Sequence, residues 1–128
     1  MRSLKLALLG FFLCLSLALG QDESKPIGPA EAAKKVNEEV KLQMEVKSAA
    51  LREGVCFLNS EENFKDAKNF TLFIDKEALA KFKEAKIENP TETFKGKTVL
   101  VTGKVTLYRE RPQIKLSDPN AIKIVEKK

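Results

Sequence analysis

The segment from Lys104 to Lys115 carries the side chains best suited to chemistry in this chain. It places one tyrosine, two arginines, one glutamine and two lysines within a short stretch. An aromatic face can stack on a nucleobase, and arginine or lysine can neutralise a phosphate, so the combination favours contact with a single-stranded polyanion. The candidate contacts in this segment are Tyr108, Arg109, Arg111, Gln113, Lys115 and Lys104.

Further candidates lie earlier in the chain. Phe64 and Asn63 occur in a polar loop, which also contains Asn69, and Lys47 and Arg52 follow the first predicted strand. Exposed aromatic and amide side chains offer stacking and hydrogen bonds to base edges. A purely structural interpretation stays open: Tyr108 packs at a strand end, Phe64 folds back onto the barrel, and the arginines keep its rim soluble.

The residue types argue against catalysis. The chain has no histidine, which removes the commonest general base and the commonest zinc ligand. The carboxylates of Glu61, Glu62, Asp66 and Asp75 match no cation-binding loop, and we expect them to be solvated. We therefore predict no metal, no cofactor and no enzymatic activity. Cys56 lies in an apolar run and is predicted to be a buried thiol, with a reactive thiol or an intermolecular disulfide as alternatives.

The first twenty residues have the order of a secretory signal peptide. A basic start with Arg2 and Lys5 precedes an apolar run over 6–19, and small residues precede a cleavage point after Gly20. An uncleaved membrane anchor is the alternative. Loss of the two basic residues takes the 23 lysines and arginines to 21, against 18 acidic residues, so the mature chain carries about +3. We predict a secreted or periplasmic protein with a lead-in over 21–28 and one domain over 29–126.

Hydrophobic periodicity predicts the strands that position these side chains. The five predicted strands cover 40–46, 55–59, 70–74, 98–108 and 114–116, and a short final strand over 121–125 follows them. Val99, Val101, Val105 and Leu107 form the apolar face of the long strand, and Gly103 within it predicts a bulge or bend. The segment Ala49–Gly54 is interpreted as a connection without regular structure, and 108–112 as a tight turn.

Two helices complete the prediction. Residues 29–39 begin with proline, which suits the first helical position, and are rich in alanine. Asp75 is expected to cap a helix over 76–86. The resulting order is that of a mainly β protein with two helices, namely a five-stranded OB-fold Greek-key barrel with an N-terminal helix before strand 1 and a helix between strands 3 and 4. A ferredoxin-like fold would need a helix between the first two strands, and the gap from Val46 to Val55 is too short for one.

The chain also resembles a known group of proteins over nearly its whole mature length. The segments that carry the resemblance are Gly28–Ala32, Val55–Ser60, Asn69–Ile74, Gly96–Gly103, Leu107–Ile114 and Ser117–Ile122. Together they are similar to small secreted bacterial OB-fold domains, whose relatives accompany nucleases and DNA-processing modules. The resemblance implies an OB-fold of the nucleic-acid-binding type. The sequence departs from the group in having Arg109–Glu110 at the hairpin tip, where a glycine-containing turn is commoner.

Two functional hypotheses follow from the sequence. The first is a non-enzymatic protein that binds nucleic acid, single-stranded and with low sequence specificity, through the last hairpin and the barrel mouth. The alternative is an envelope adaptor whose barrel binds a protein or an oligosaccharide. Contact with a membrane is expected only through an uncleaved signal segment.

Overall fold

A computed structural model of the protein describes residues 25–125, so the predicted signal peptide over 1–20 and the predicted last domain residue, Glu126, lie outside the described residues. The described chain forms seven strands and three α-helices. The elements are α1 (Pro29–Ala32), β1 (Glu39–Glu45), β2 (Ser48–Arg52), β3 (Val55–Asn59), β4 (Thr71–Ile74), α2 (Lys76–Glu84), α3 (Pro90–Phe94), β5 (Thr98–Tyr108), β6 (Arg111–Lys115), a 3-10 helix (Pro119–Ala121) and β7 (Ile122–Ile124).

The strands form one sheet in the order β1-β5-β6-β4-β3-β2, with β7 also paired to β5. Neighbours are antiparallel except for β4 and β6. No hydrogen-bonded ladder joins the two ends of this path, but β1 and β2 are successive parts of one run. Between them Val46 N donates to Lys97 O at 2.8 Å, and Lys47 N donates to Asn59 O at 2.9 Å. The run thereby changes partners. The fold class is the predicted OB-fold, but the barrel is partly open and has seven strands in place of the predicted five.

The core consists of the inward side chains of this sheet together with the apolar faces of the helices. Alternate residues of β1, namely Val40, Leu42 and Met44, are buried, as period-two alternation predicts. Asp75 caps α2 as expected, because its Oδ1 accepts a hydrogen bond of 2.9 Å from Ala78 N. Phe82 of α2 meets Phe94 of α3 edge to face, with ring centroids 6.5 Å apart.

Three local predictions differ from the structure. The segment taken as a connection contains β2, because its pairing with β3 gives these weak strand formers their structure. The first helix ends at Ala32 and not at Glu39, since the chain turns to place Asn37 N 2.6 Å from Val105 O. The short α3, which follows Asn89, was not among the predicted helices.

The long strand β5 also differs in detail. It runs unbroken through Gly103, and a Cβ at that position would lie 2.6 Å from Ile114 Cγ2. The glycine therefore provides room for Ile114 of β6. Leu107 is 52% exposed, unlike its expected partners on the apolar face, because β5 extends beyond the core there.

Cys56 is fully buried and forms no disulfide within the described residues. Its surroundings are apolar, and this desolvation raises the pKa of the thiol to about 12. A thiol so placed remains protonated at neutral pH and packs as a small apolar side chain.

Candidate functional site

A groove of about 330 Å³ lies on the outer face of the sheet, at the end where the last hairpin projects. Strands β2, β3, β4 and β6 contribute its floor, and the loop over 60–70 and the β5–β6 hairpin contribute the rest. The lining residues are Ala50, Arg52, Phe57, Asn59, Phe64, Lys65, Asn69, Thr71, Tyr108, Arg109, Arg111, Pro112 and Gln113. Six of the ten predicted contacts are therefore brought together here: Arg52, Phe64, Tyr108, Arg109, Arg111 and Gln113.

Two tight hairpins position groove residues at the ends of their strands. The β2–β3 turn consists of Glu53 and Gly54, with φ of 53° and 80°, and the β5–β6 turn of Arg109 and Glu110, with φ of 53° and 67°. Two-residue turns with both φ values positive match the twist of the flanking strands. They fix Arg52 opposite Val55 and Tyr108 opposite Arg111.

Each exposed aromatic ring in the groove is close to a cation. The guanidinium carbon of Arg52 lies 5.7 Å from the ring centroid of Phe64, and that of Arg109 lies 5.3 Å from the ring centroid of Tyr108. Lys65 Nζ is 5.9 Å from the Phe64 ring. Phe64 is 49% exposed and Tyr108 57% exposed, so both rings keep accessible surface for a ligand. Such pairs position a positive charge beside a flat apolar face.

The charge of the groove is of one sign. Its described lining includes four basic residues and none that is acidic. Arg52, Lys65, Arg109 and Arg111 supply the cations, and a concave surface with one sign of charge concentrates counter-ions of the other. The groove therefore suits an anionic ligand.

Arg111 holds the loop in place. Its Nη1 donates to the carbonyl oxygens of Phe64 and Asp66 at 3.3 and 3.2 Å, and its Nη2 donates to that of Lys65 at 3.2 Å. Three consecutive carbonyls thus share one planar guanidinium, a geometry that lysine cannot reproduce. Arg111 was predicted as a direct contact, and in the structure its guanidinium supports the loop that carries Phe64.

Polar side chains of the floor satisfy one another. Asn59 Oδ1 accepts from Thr71 Oγ1 at 2.9 Å and from Asn69 Nδ2 at 3.3 Å. Asn69 Nδ2 also lies 3.1 Å from Thr71 Oγ1, and Asn69 Oδ1 accepts from Glu61 N. Asn69 is buried, so this amide ties the loop to the sheet and does not project toward a ligand as expected.

Four predicted contacts lie outside the groove. Lys115 Nζ is 3.1 Å from Asp75 Oδ2 and so joins β6 to the start of α2. Lys104 sits on β5 opposite Glu39 of β1. Lys47 and Asn63 line a separate open depression together with four carboxylates and Lys95. Asn63 Oδ1 there accepts from Lys65 N at 2.9 Å, which closes a local turn.

Phe57 is a groove residue that was not among the predicted contacts. It is half-buried, and its ring centroid lies 5.5 Å from that of Phe73 on the neighbouring strand. Its neighbours Cys56 and Leu58 are fully buried, so alternation turns Phe57 outward. Lys65 was also missed, and only its position beside Phe64 could have indicated it.

Within 25–125, no group of three or more histidine, cysteine or acidic side chains is arranged to hold a metal ion. None of the helices described in that range is long and apolar enough to cross a membrane.

Comparison with known proteins gives the fold. No protein-family model matches the chain, and no curated protein matches it. Among solved structures, the asparaginyl-tRNA synthetase of Pyrococcus horikoshii superposes with a TM-score of 0.54 and 14% identity, over 80% of this chain and 23% of that one. The OBody AM1L10, bound to hen egg-white lysozyme, gives a TM-score of 0.55 and 14% identity over 86% of this chain and 100% of its own.

The aspartyl tRNA synthetase of Entamoeba histolytica has a TM-score of 0.50 and 12% identity, over 78% of this chain and 21% of that one. This chain therefore spans less than a quarter of either synthetase. At these identities the likeness establishes a shared OB-fold.

Proposed function

We propose that this chain is a secreted or periplasmic, non-enzymatic OB-fold protein that binds single-stranded nucleic acid in the groove. The observation that carries the proposal is the pairing of each exposed aromatic, Phe64 and Tyr108, with an arginine in one groove lined by four cations and no described carboxylate. Binders of single strands combine stacking rings with a positive groove that follows the backbone.

The fold supports this proposal in a limited way. Two of the fold neighbours are named as tRNA synthetases, and the third is bound to a protein. OB-folds thus serve more than one kind of ligand, and the groove itself must decide between them. Its one-signed charge and stacking rings favour a polyanion with flat bases over a protein or an oligosaccharide.

Titration of a labelled single-stranded oligonucleotide at two salt concentrations tests this function. If Arg52, Lys65 and Arg109 each neutralise one phosphate, the affinity should fall with salt with a logarithmic slope of about −2. A rise from about 50 to about 200 mM salt should then weaken binding about 20-fold. Absence of salt-sensitive binding at micromolar protein would refute the proposal. Recovery of a partner that survives nuclease treatment would favour the adaptor alternative.

Export of the chain is tested separately. We expect the mature protein to begin at Gln21, and N-terminal sequencing with intact mass measurement of the protein from its producing cells will show whether it does. Recovery in the membrane fraction of chains that still begin at Met1 would instead indicate an uncleaved membrane anchor.

A further inference from the structure

Most polar side chains on the groove floor are already engaged. Asn59, Asn69 and Thr71 hydrogen-bond to one another across β3, the loop and β4. A ligand that entered the groove would have to break this network to use any of them, and exposing unsatisfied polar groups in that way is costly. These three residues are therefore supports and not readers of a ligand.

Gln113 is different. It lies on β6 between Thr71 of β4 and Thr106 of β5, lines the groove and is half-buried. Its carboxamide has no hydrogen-bond partner among the described residues, whose side-chain hydrogen bonds involve other groups. It offers one amide oxygen as acceptor and one NH₂ group as donor.

Three further ligand-facing side chains with free polar groups only donate. Arg52, Lys65 and Arg109 carry N–H groups and no acceptor, and they make no ion pair within 25–125. The Tyr108 hydroxyl can also accept, but Tyr108 lies at the end of β5 beside the hairpin turn and not on the groove floor. The groove thus offers many donors and, on its floor, the single free acceptor of Gln113.

From this imbalance we infer that the groove prefers pyrimidine bases and that Gln113 is the residue that reads them. The inference rests on the proposed function. The pairing edge of uracil, thymine or cytosine presents two acceptors and one donor. Gln113 can accept from the one donor and donate to the neighbouring acceptor, while an arginine donates to the second acceptor.

Purines fit this arrangement less well. The pairing edge of guanine presents two donors for one free acceptor on the groove floor, and one donor would be left unsatisfied. The pairing edge of adenine has one donor and one acceptor and leaves the arginine without a base contact. The Hoogsteen edge of guanine presents only the acceptors N7 and O6, so the Gln113 oxygen would have no donor to pair with.

A preference for pyrimidines can also arise from weaker stacking and greater strand flexibility, without any hydrogen bond. A variant at Gln113 separates these causes. Gln113→Leu keeps the approximate size and removes both hydrogen-bonding groups. Thr106→Val is the matched control, because Thr106 neighbours Gln113 on β5 but does not line the groove.

The experiment measures the affinity of the purified protein for oligo-dT, oligo-dC and oligo-dA of equal length. We expect the wild type and Thr106→Val to bind the two pyrimidine strands about fivefold more tightly than oligo-dA. Gln113→Leu should bring the ratio close to one. Equal binding of all three strands by the wild type would overturn the inference and leave the proposed function standing.

A pyrimidine preference that persists in Gln113→Leu would also overturn the inference, because stacking or flexibility would then be its cause. Should Gln113→Leu fail to fold, Gln113→Glu removes the donor while keeping the shape, and the same loss of preference is expected. Failure of every strand to bind would refute the proposed function and this inference together.

Discussion

The guanidinium of Arg111 and the carbonyl oxygen of Phe64 lie 3.3 Å apart, although 47 residues separate them along the chain. This contact fixes the loop that carries the Phe64 side chain against a hairpin that lies much later in the sequence. The position of the Phe64 ring in the groove therefore depends on Arg111, and changes at Arg111 should act on the loop as well as on the ligand.

Replacement of Arg111 by lysine is expected to loosen the loop. Lysine keeps the charge but cannot donate to three consecutive carbonyls in one plane. Loss of about 1 kcal/mol of local stabilisation would speed amide hydrogen exchange over residues 65–69 about fivefold. Arg109→Lys is the control, because Arg109 makes no contact with this loop through hydrogen bonds. Equal exchange rates in Arg111→Lys and the wild type would contradict the role assigned to Arg111.

The two exposed rings should each contribute to binding. Tyr108→Leu and Phe64→Leu remove a stacking face, and each is expected to cost about 1 to 3 kcal/mol of binding free energy for an oligonucleotide. Tyr108→Phe keeps the ring and should bind almost as the wild type does. Fluorescence anisotropy measures all three, and wild-type affinity in Tyr108→Leu would show that the ring has only a packing role.

Gly103 is predicted to be essential for packing. A methyl group there would lie 2.6 Å from Ile114 Cγ2 inside the core, and such overpacking costs about 1 to 3 kcal/mol. Gly103→Ala should lower the free energy of unfolding in denaturant by that amount. Gly28→Ala provides the comparison, since no heavy atom lies within 4 Å of the added Cβ, and it should have little effect. Similar stabilities for the two variants would disprove the explanation.

Asp75 should make stability depend on pH. The hydrogen bond from Ala78 N, followed by the neighbouring Lys115, lowers the pKa of its carboxyl below the usual value of 3.8. Its contribution to the free energy of unfolding is therefore complete above pH 3.8 and is lost as the pH falls through the lowered value. Asp75→Asn keeps a capping side chain without the charge, so it should be less stable than the wild type at neutral pH. This difference in the free energy of unfolding should shrink below pH 3.8, where the wild type also loses the charge. A deficit that stays constant as the pH falls would rule out this linkage.

Local signals predicted much of the fold. The bounds of β3 agree with the apolar run over 55–59, and α2 begins directly after the predicted cap at Asp75. The hairpin that follows Tyr108 was also predicted, because alternation and turn residues act over short distances, but its turn contains only Arg109 and Glu110 and not the whole of 108–112. β2 was missed because its residues are weak strand formers, and its pairing with β3 supplies the structure.

The candidate site depended more on long-range contacts. Arg52, Phe64 and Tyr108 come from three separate segments, and their meeting follows from the barrel order. The Arg111 contacts with the loop depend on the parallel pairing of β4 with β6, which no local pattern encodes. By alternation, Lys115 lies on the same face of β6 as Arg111 and Gln113. It pairs with Asp75 because α2 begins beside it.

The salt dependence of oligonucleotide binding in charge variants tests the central claim most directly. Arg52→Gln with Arg109→Gln removes two groove cations, so the logarithmic slope should fall in magnitude by about 1.4 relative to the wild type. Lys104→Gln removes a cation outside the groove lining and should leave the slope unchanged. An unchanged slope in the double variant, or an equal change in Lys104→Gln, would contradict binding in this groove.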